Sequence, residues 1–145
     1  MYRLFKSQHI CRSSDFAKFR SRQAQSVNCG TIVLKVVGHS CGSPRNSFPR
    51  FGIITSKKIG NAVARNRIRR IIRENFRLNP KIFRADCDYL FIALRGISDK
   101  PNKKIGEEIL DAAKKITLDK NFPQNFSRPG KDKLPHQLIC LTVPR

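Results

Sequence analysis

Acidic residues are scarce in this sequence, which contains 10 Asp and Glu against 30 Lys and Arg and has a formal net charge of +20 over 145 residues. The imbalance is concentrated, because residues 1–85 hold 19 basic side chains and 2 acidic ones. A chain with so little negative charge is expected to bind a polyanion. Enzymes that work through clustered carboxylates are disfavoured, and we find no catalytic constellation.

Long apolar runs and paired cysteines are also missing. The longest apolar run is YLFIAL at residues 89–94, far short of the roughly 20 residues that cross a bilayer, and no apolar core of signal-peptide length follows Met1. The five cysteines are scattered without a C-x-x-C pair, which argues against a zinc or redox site. These absences predict a cytoplasmic protein with no membrane partner and no metal ligands of its own.

The apolar content is nevertheless sufficient for a packed domain. Hydrophobic residues make up 39% of the chain and include 10 Phe, which is typical of a folded domain rather than a solvated basic tail. We assign residues 1–118 to one domain. Residues 119–145 are punctuated by four prolines and are assigned to a Pro-rich C-terminal extension whose role the sequence does not indicate.

Hydrophobic periodicity predicts both helices and strands. Residues 13–22 are typical of a short helix with Ser14 as N-cap, residues 31–37 and 50–56 of two antiparallel strands, and residues 88–94 of a third strand. Two longer helices are expected, one between the N-cap Asn61 and Asn79–Pro80, and one over residues 102–118. These elements indicate an α+β protein.

The first long helix has two unlike faces. At about 100° per residue, Ala64, Ile68, Ile71, Ile72 and Leu78 fall within one sector. The opposite side, which we name the arginine ridge, comprises Arg65, Asn66, Arg69, Arg70, Arg73 and Arg77. Like charges on neighbouring turns repel by a few tenths of a kcal/mol per pair, and Glu74 is the only acid on this helix. We expect phosphates of a partner to balance the charge, since guanidinium groups bind phosphate oxygens in a bidentate manner.

Other interpretations of the basic helix stay open at this point. A solvated face is the usual fate of a single exposed arginine, but such faces normally mix charges of both signs. A ribosomal or other structural RNA-binding protein would share the charge, and a DNA-binding helix would also place arginines on phosphates. A metal-dependent nuclease would need acids or histidines beside the ridge, whereas most acids lie in the less basic half of the chain.

Residues 56–74, SKKIGNAVARNRIRRIIRE, closely resemble the signature of the protein component of bacterial ribonuclease P. In that signature a strand ending in Ser-Lys-Lys is followed by Gly, Ala-Val and Arg-Asn, then by a basic pair and by Arg-Glu. A looser similarity extends from about Cys11 to Leu118, through RFGIITS before the signature and DYLFIA after it. Residues beyond Leu118 lie outside the resemblance.

The resemblance implies a fold, a function and partners. The fold would be a two-layer α+β sandwich, ribosomal-protein-like, in which a central, mostly antiparallel sheet packs with helices and one strand–helix–strand crossover is left-handed. The protein would be a subunit of a ribonucleoprotein endoribonuclease that binds the catalytic ribonuclease P RNA and the 5′ leader of precursor tRNA. The RNA would carry out cleavage with Mg²⁺ that it mainly binds itself, and the free protein would be a monomer. The alternative is a structural RNA-binding protein without a role in tRNA processing.

Two sets of site residues follow from the resemblance. The set expected to contact the RNA subunit comprises Lys57, Lys58, Asn61, Arg65, Asn66, Arg67, Arg69, Arg70 and Arg73. The set expected to line a leader cleft, between the first helix and the sheet, comprises Phe16, Phe19, Arg20 and Lys35. An aromatic ring in such a cleft stacks on an unpaired base whatever the identity of that base.

Structural roles are alternatives at four positions. Phe16 and Phe19, at i,i+3 spacing, would both suit the core, and the Asn66 amide could tie down the preceding loop. Glu74 is expected to orient an arginine, because an acid facing RNA phosphate would repel it.

The chain departs from the family pattern at three positions. Arg20 and Lys35 stand where aromatic residues are common. At Arg20, either guanidinium stacking or a slight rotation of the helix that uses the adjacent Phe19 would substitute for the ring, and at Lys35 a phosphate contact would replace a stacking contact. Leu94 is an extra residue after the third predicted strand. Arg95 would therefore point to the other sheet face unless a bulge restores the register.

Overall fold

The computed structural model describes residues 3–22, 24–38, 48–85 and 87–118. These residues form three helices, α1 (Ser13–Lys18), α2 (Ala62–Leu78) and α3 (Asn102–Leu118), and four strands, β1 (Gln25–Cys29), β2 (Ile32–Gly38), β3 (Arg50–Thr55) and β4 (Cys87–Ala93). Short 3₁₀ turns lie at Lys6–Gln8, Lys57–Ile59 and Ile97–Asp99. The C-terminal extension predicted for residues 119–145 lies outside the described residues.

The four strands form one sheet in the order β1-β2-β4-β3. The pairs β1–β2 and β2–β4 are antiparallel, and β3–β4 is parallel, with α2 as the crossover between them. The predicted α+β class with a mostly antiparallel sheet is therefore confirmed, while the left-handed sense of the crossover stays a prediction. β2 and β3 run antiparallel as expected, but they are not neighbours because β4 lies between them.

The main core lies between α2, α3 and one face of the sheet, which we name the inner face. Ile32, Leu34 and Val36 of β2 point into it from alternate positions, as the period of the strand requires. Phe76 of α2 packs on Phe51 of β3 with the ring centroids 4.5 Å apart, and α3 contributes a row of small and branched side chains, Ile105, Ile109, Ala112, Ala113 and Ile116. The apolar stripes predicted for β2 and α3 are thus confirmed.

The apolar face of α2 differs from the predicted one at its C-terminal end. Leu78, assigned to the buried sector, is 56% exposed, and Phe76 occupies the core instead. The buried row Ile68, Ile72 and Phe76 follows i,i+4 spacing, which is the ridge that packs most commonly on a neighbouring element. Leu78 is the last residue of the helix and lies past the end of this row.

The N-terminal region also differs from the prediction. α1 begins at Ser13, so that Ser14 lies inside the helix, and the N-cap Arg12 makes no capping hydrogen bond through its side chain. β1, over the sequence QSVNC, was not predicted at all. Its residues alternate weakly because it is an edge strand with partly exposed side chains, and its pairing with β2 across the tight turn at Gly30 holds it in place.

Glu108 of α3 anchors that turn to the rest of the domain. Its Oε2 atom accepts hydrogen bonds from the Thr31 amide (3.0 Å) and from the Thr31 hydroxyl (2.8 Å), and its Oε1 atom pairs with Lys100 Nζ. Burial opposes ionisation of Glu108, but the hydrogen bonds from Lys100 and Thr31 outweigh it and hold its pKa below the ordinary value. Gly30, with a φ of +61°, leaves no room for a Cβ beside the carboxylate.

Replacement of Glu108 by Gln is expected to lower the free energy of unfolding by about 1–2 kcal/mol at pH 7, because the charge-assisted bonds are lost. A lowered pKa in the folded state means that the carboxylate stabilises the fold above the ordinary value of 4.5 and ceases to do so as the pH falls through the folded-state pKa. Urea unfolding at pH 7 and at pH 3.5 measures both effects. Glu107→Gln, at an exposed position of the same helix, should change stability by less than about 0.5 kcal/mol.

Candidate RNA-binding surfaces

The start of α2 is shaped by glycine and asparagine. Gly60 has a φ of +153°, which L side chains rarely adopt, and Asn61 Oδ1 accepts a hydrogen bond from the Ala64 amide (2.9 Å). The predicted N-cap is therefore confirmed, and the side-chain oxygen of Asn61 is used to cap the helix. Lys57 and Lys58 lie exposed in the 3₁₀ turn immediately before this helix start.

The arginine ridge is left largely without acidic partners. Among the described residues, no carboxylate lies within ion-pair distance of Arg65, Arg69, Arg70 or Arg73. Arg70 and Arg73 are exposed, whereas Arg65 and Arg69 are partly exposed. The ridge is thus a surface of uncompensated positive charge.

The neutral and acidic residues of α2 make local contacts with the ridge. Arg69 Nη1 lies 3.4 Å from Asn66 Oδ1, a weak contact that leaves the Asn66 amide exposed. Glu74 accepts hydrogen bonds from Arg77 Nε (3.3 Å) and Nη2, and this interaction lowers the pKa of Glu74. The expectation that Glu74 orients an arginine is met by Arg77.

Arg67 has a different environment from its neighbours on α2. Its Nε and Nη2 atoms donate to Asn102 Oδ1 (2.9 and 2.6 Å), Nη1 donates to the Ser98 carbonyl (3.0 Å), and Nη2 also donates to the Lys100 carbonyl (2.8 Å). Four of its five donor hydrogens are therefore used inside the protein. Arg67, which was grouped with the RNA-contacting residues, ties α2 to the turn before α3, and its contact with RNA stays a prediction.

The second face of the sheet, which we name the outer face, is covered only in part. Near α1, Ile10, Phe19, Val37 and Leu90 form a small buried cluster. Farther along the strands the cover ends, and the cross-strand row Asn28, Val33, Ile92 and Ile54 is partly or fully exposed. The outer face therefore offers an open surface beside α1, where the leader cleft is expected.

The four residues predicted to line the cleft do not share one role. Phe19 is 2% exposed and packs in the small cluster, so its ring is not available for stacking on a base. Phe16 is only partly buried, and the absence of a side chain at Gly52 lets its ring approach β3 closely. Arg20 is exposed and Lys35 is half-buried on the outer face. Phe16 and Lys35 fit the predicted cleft, and Phe19 fits the alternative of a core residue.

A charged network fixes α1 on the outer face. Asp88 of β4 is 1% exposed, and both its oxygens accept from Arg50 of β3, at 2.9 Å from Nε and 2.6 Å from Nη2. Arg50 Nη1 also reaches Asp15 of α1 at 3.5 Å, and the bonds to Asp88 raise the Arg50 pKa above its ordinary value. Sequence reasoning missed this network, although an acid within the apolar run CDYLFIA was a signal for a buried partner.

The extra residue Leu94 has no effect on sheet register. β4 ends at Ala93, which pairs with Ile32 on one side and Thr55 on the other, and the ladders run without a bulge up to that point. Leu94 donates one more backbone bond to Thr31 (2.9 Å), and Arg95 lies exposed in the turn that follows. Arg95 therefore lies on neither face of the sheet, because β4 ends two residues before it.

Within the described ranges, no three His, Cys, Asp or Glu side chains come together in a way that would hold a metal ion. In the same part of the chain, no helix has the length and apolar character needed to cross a bilayer.

The amino-acid sequence is similar to those of ribonuclease P proteins. The family model described as "Ribonuclease P" matches residues 4–117. The ribonuclease P protein component of Desulforapulum autotrophicum is 30% identical over 115 residues, which span 79% of this chain and 93% of that protein. The component from Clostridium botulinum is 34% identical over 98 residues, or 67% of this chain and 84% of that protein.

Solved structures give the same result for the fold. The ribonuclease P protein of Staphylococcus aureus superposes with a TM-score of 0.63 at 32% identity, covering 78% of this chain and 97% of that one. The protein from Thermotoga maritima has a TM-score of 0.60 at 22% identity over 72% of this chain and 92% of that one, a likeness that concerns the fold alone.

Arg67→Ala and Arg70→Ala are expected to differ in stability although both remove an arginine from α2. Loss of Arg67 leaves the Ser98 and Lys100 carbonyls and the Asn102 amide without their partner, at a cost of about 1–3 kcal/mol. Arg70 makes no such bonds among the described residues, so its removal should change stability by less than about 0.5 kcal/mol. Thermal unfolding of both variants measures the difference, and equal melting temperatures would contradict an anchoring role for Arg67.

Proposed function

The chain belongs to the family of ribonuclease P protein components, and from this membership we propose that the arginine ridge binds the ribonuclease P RNA while the open outer face binds the 5′ leader of precursor tRNA. Proteins of this family work with the ribonuclease P RNA as parts of an endoribonuclease. The named relatives and solved structures are all ribonuclease P proteins, and they give no support to a structural RNA-binding protein outside tRNA processing.

The observation that carries the assignment of the RNA surface is the uncompensated charge of the ridge. Arg65, Arg69, Arg70 and Arg73 lie on one side of a rigid helix, without acidic partners in the part of the chain that the structure describes. Guanidinium groups spaced at i,i+4 lie on one side of the helix and can follow a line of phosphates, and the planar guanidinium fork limits the entropy lost for each hydrogen bond formed. Lys57 and Lys58 extend the same positive surface past the helix start.

The leader surface is supported by its mixture of apolar and basic groups. Phe16 offers a partly exposed ring at the edge of α1, and Ile54 of β3 is 40% exposed on the outer face. Lys35 lies on the same face and supplies a charge for the backbone of a single strand. Stacking surfaces beside a cation are what a protein uses to bind single-stranded RNA with little preference for sequence.

The chemistry of cleavage is assigned to the RNA in this proposal. Among the described residues, no group of His, Cys, Asp and Glu side chains forms a cluster of ligands for Mg²⁺. The protein then contributes positive charge, a fixed orientation of the leader and a higher affinity for precursor than for mature tRNA. The same proposal takes the free protein to be a monomer and the complex to act in the cytoplasm.

Reconstitution tests the function directly. The full-length chain, mixed with a bacterial ribonuclease P RNA at low Mg²⁺ concentration, should increase 5′ processing of precursor tRNA well above the rate of the RNA alone, because the ridge neutralises RNA phosphates that Mg²⁺ would otherwise screen. Cleavage is followed by the release of a labelled leader.

The same experiment has two informative controls. Protein without RNA should leave the precursor intact, and cleavage in that control would favour a protein nuclease over the proposal. Arg69→Glu should raise the protein concentration needed for half-maximal activity, whereas Lys114→Glu, at an exposed position of α3, should change it much less.

Phe16→Ala should weaken binding of precursor tRNA to the assembled enzyme about tenfold, the cost of one lost base–aromatic stack, and leave mature tRNA unchanged. Asp15→Asn should weaken precursor binding less, because it breaks the contact that holds α1 to Arg50 without removing the ring. Dissociation constants for both tRNAs give the comparison.

The double variant distinguishes positioning from other effects. If Asp15 acts by holding Phe16 in place, Asp15→Asn adds little once Phe16 is Ala, and the two changes are strongly non-additive. Simple additivity would show that Asp15 acts independently of the ring, and equal weakening of precursor and mature tRNA would overturn the leader assignment.

A further inference from the structure

A small polar cavity lies where the N-terminal segment, β3 and the arginine ridge meet. It has a volume of about 210 Å³, and Phe51, Gly52 and Ile53 form its wall on the side of β3. The remaining lining residues are His9, Ile10, Cys11, Arg69 and Arg73. None of the described residues that line this cavity is acidic. It is therefore a positively charged recess at the side of the ridge.

Backbone pairing with β3 holds His9 at this recess. His9 forms an isolated parallel bridge with Phe51, and the Ile10 amide donates to the Phe51 carbonyl at 2.9 Å. The imidazole ring lies on the Phe51 ring with the centroids 4.6 Å apart. Within the described part of the chain, neither ring nitrogen of His9 makes a hydrogen bond, so both are available to a ligand.

The groups around the imidazole determine what kind of ligand fits. Arg69 and Arg73 face it from α2, one helical turn apart, and Cys11 faces it from its own segment. The β3 wall contributes no titratable side chain. Burial, and then the charge of Arg73, lower the pKa of His9 below its ordinary value of 6.5. An anion bound between the two guanidinium groups would remove this repulsion.

We propose that the cavity is a phosphate site in which Arg69 and Arg73 hold one phosphodiester of the ribonuclease P RNA and His9, protonated on binding, donates a hydrogen bond to the same group. The inference rests on the proposed function and deepens it, because it makes assembly with RNA dependent on a proton. The ligand class is a phosphate monoanion in RNA, and the source is the RNA subunit, since both arginines belong to the ridge.

The sign of the pH dependence follows from the two states of His9. In the free protein burial and the charge of Arg73 lower the pKa of His9 and favour the neutral imidazole. In the complex the phosphate favours the charged form and raises the pKa. RNA binding therefore takes up a proton and tightens as the pH falls. Between the two pKa values affinity changes by at most tenfold per pH unit, and above both it is constant.

The experiment measures the dissociation constant of the full-length protein and the RNA subunit from pH 5.5 to 8.0 at constant ionic strength. His9→Gln keeps a neutral hydrogen-bonding side chain and should bind with the high-pH affinity throughout. His9→Arg carries a permanent charge and should bind tightly without the pH dependence. His39→Gln and His136→Gln remove the other two histidines and should retain the slope of the unmodified chain.

Protonation of RNA bases also makes the dissociation constant depend on pH. The quantity to compare is therefore the difference in pH dependence between the unmodified chain and His9→Gln. A slope that is the same in His9→Gln would overturn the phosphate site while leaving RNA assembly intact. A slope found only when the assembled enzyme binds precursor tRNA would overturn the assignment to the RNA subunit. Absence of assembly at every pH would instead contradict the proposed function.

A second measurement tests the site without RNA. Titration of the protein with inorganic phosphate, followed by the NMR signals of the His9 ring, should raise the His9 pKa in the unmodified chain, and Arg73→Gln should diminish the effect. A His9 pKa that does not respond to phosphate would overturn the proposal even if the protein assembles normally with RNA.

Discussion

The whole arrangement depends on how α2 divides its surface between the core and the solvent. One side buries Ile68, Ile72 and Phe76 against the inner face of the sheet, and each such side chain contributes about 1.5–3 kcal/mol. The other side carries four arginines without acidic partners among the described residues, at a cost of a few tenths of a kcal/mol for each repelling pair. Burial exceeds the repulsion, so the fold tolerates a ridge whose charge is not balanced by any carboxylate in the described part of the chain.

The sheet, like α2, has one side that is buried in the core and one side that is partly exposed. Its inner face is closed by α2 and α3, whereas the described residues close its outer face only near α1. A six-residue helix is too short to be stable alone, and the contacts of Phe19 and of the Asp15–Arg50–Asp88 network hold it on the sheet. Because Arg50 and Asp88 are paired on adjacent strands, the buried charge links the sheet register to the position of Phe16. A small domain thereby presents a basic ridge and an open sheet face on different sides.

Residues of one chemical type take different roles according to what lies opposite them. Arg67 and Arg70 are three residues apart on α2. Arg67 lies against the turn before α3 and donates hydrogen bonds to it, whereas Arg70 is exposed. Phe16 and Phe19 differ in the same way, since Phe19 enters the small cluster and Phe16 remains at its edge. For His9, burial and then the charge of Arg73, which lies on a distant segment, lower the pKa below the ordinary value.

Local pattern was enough to predict the features that depend on neighbours in the chain. The bounds of α2 and α3, the N-cap at Asn61 and the alternation of β2 follow from side chains within a few residues of one another, and the signature at residues 56–74 is one continuous stretch. Only the tertiary structure could place β1 at a sheet edge, exchange Leu78 for Phe76 in the core, bury Phe19, engage Arg67 in hydrogen bonds with the turn before α3, and bring His9 beside Arg69 and Arg73. Each of these depends on contacts between segments far apart in the chain, and a pattern read along one segment contains no information on what packs against it.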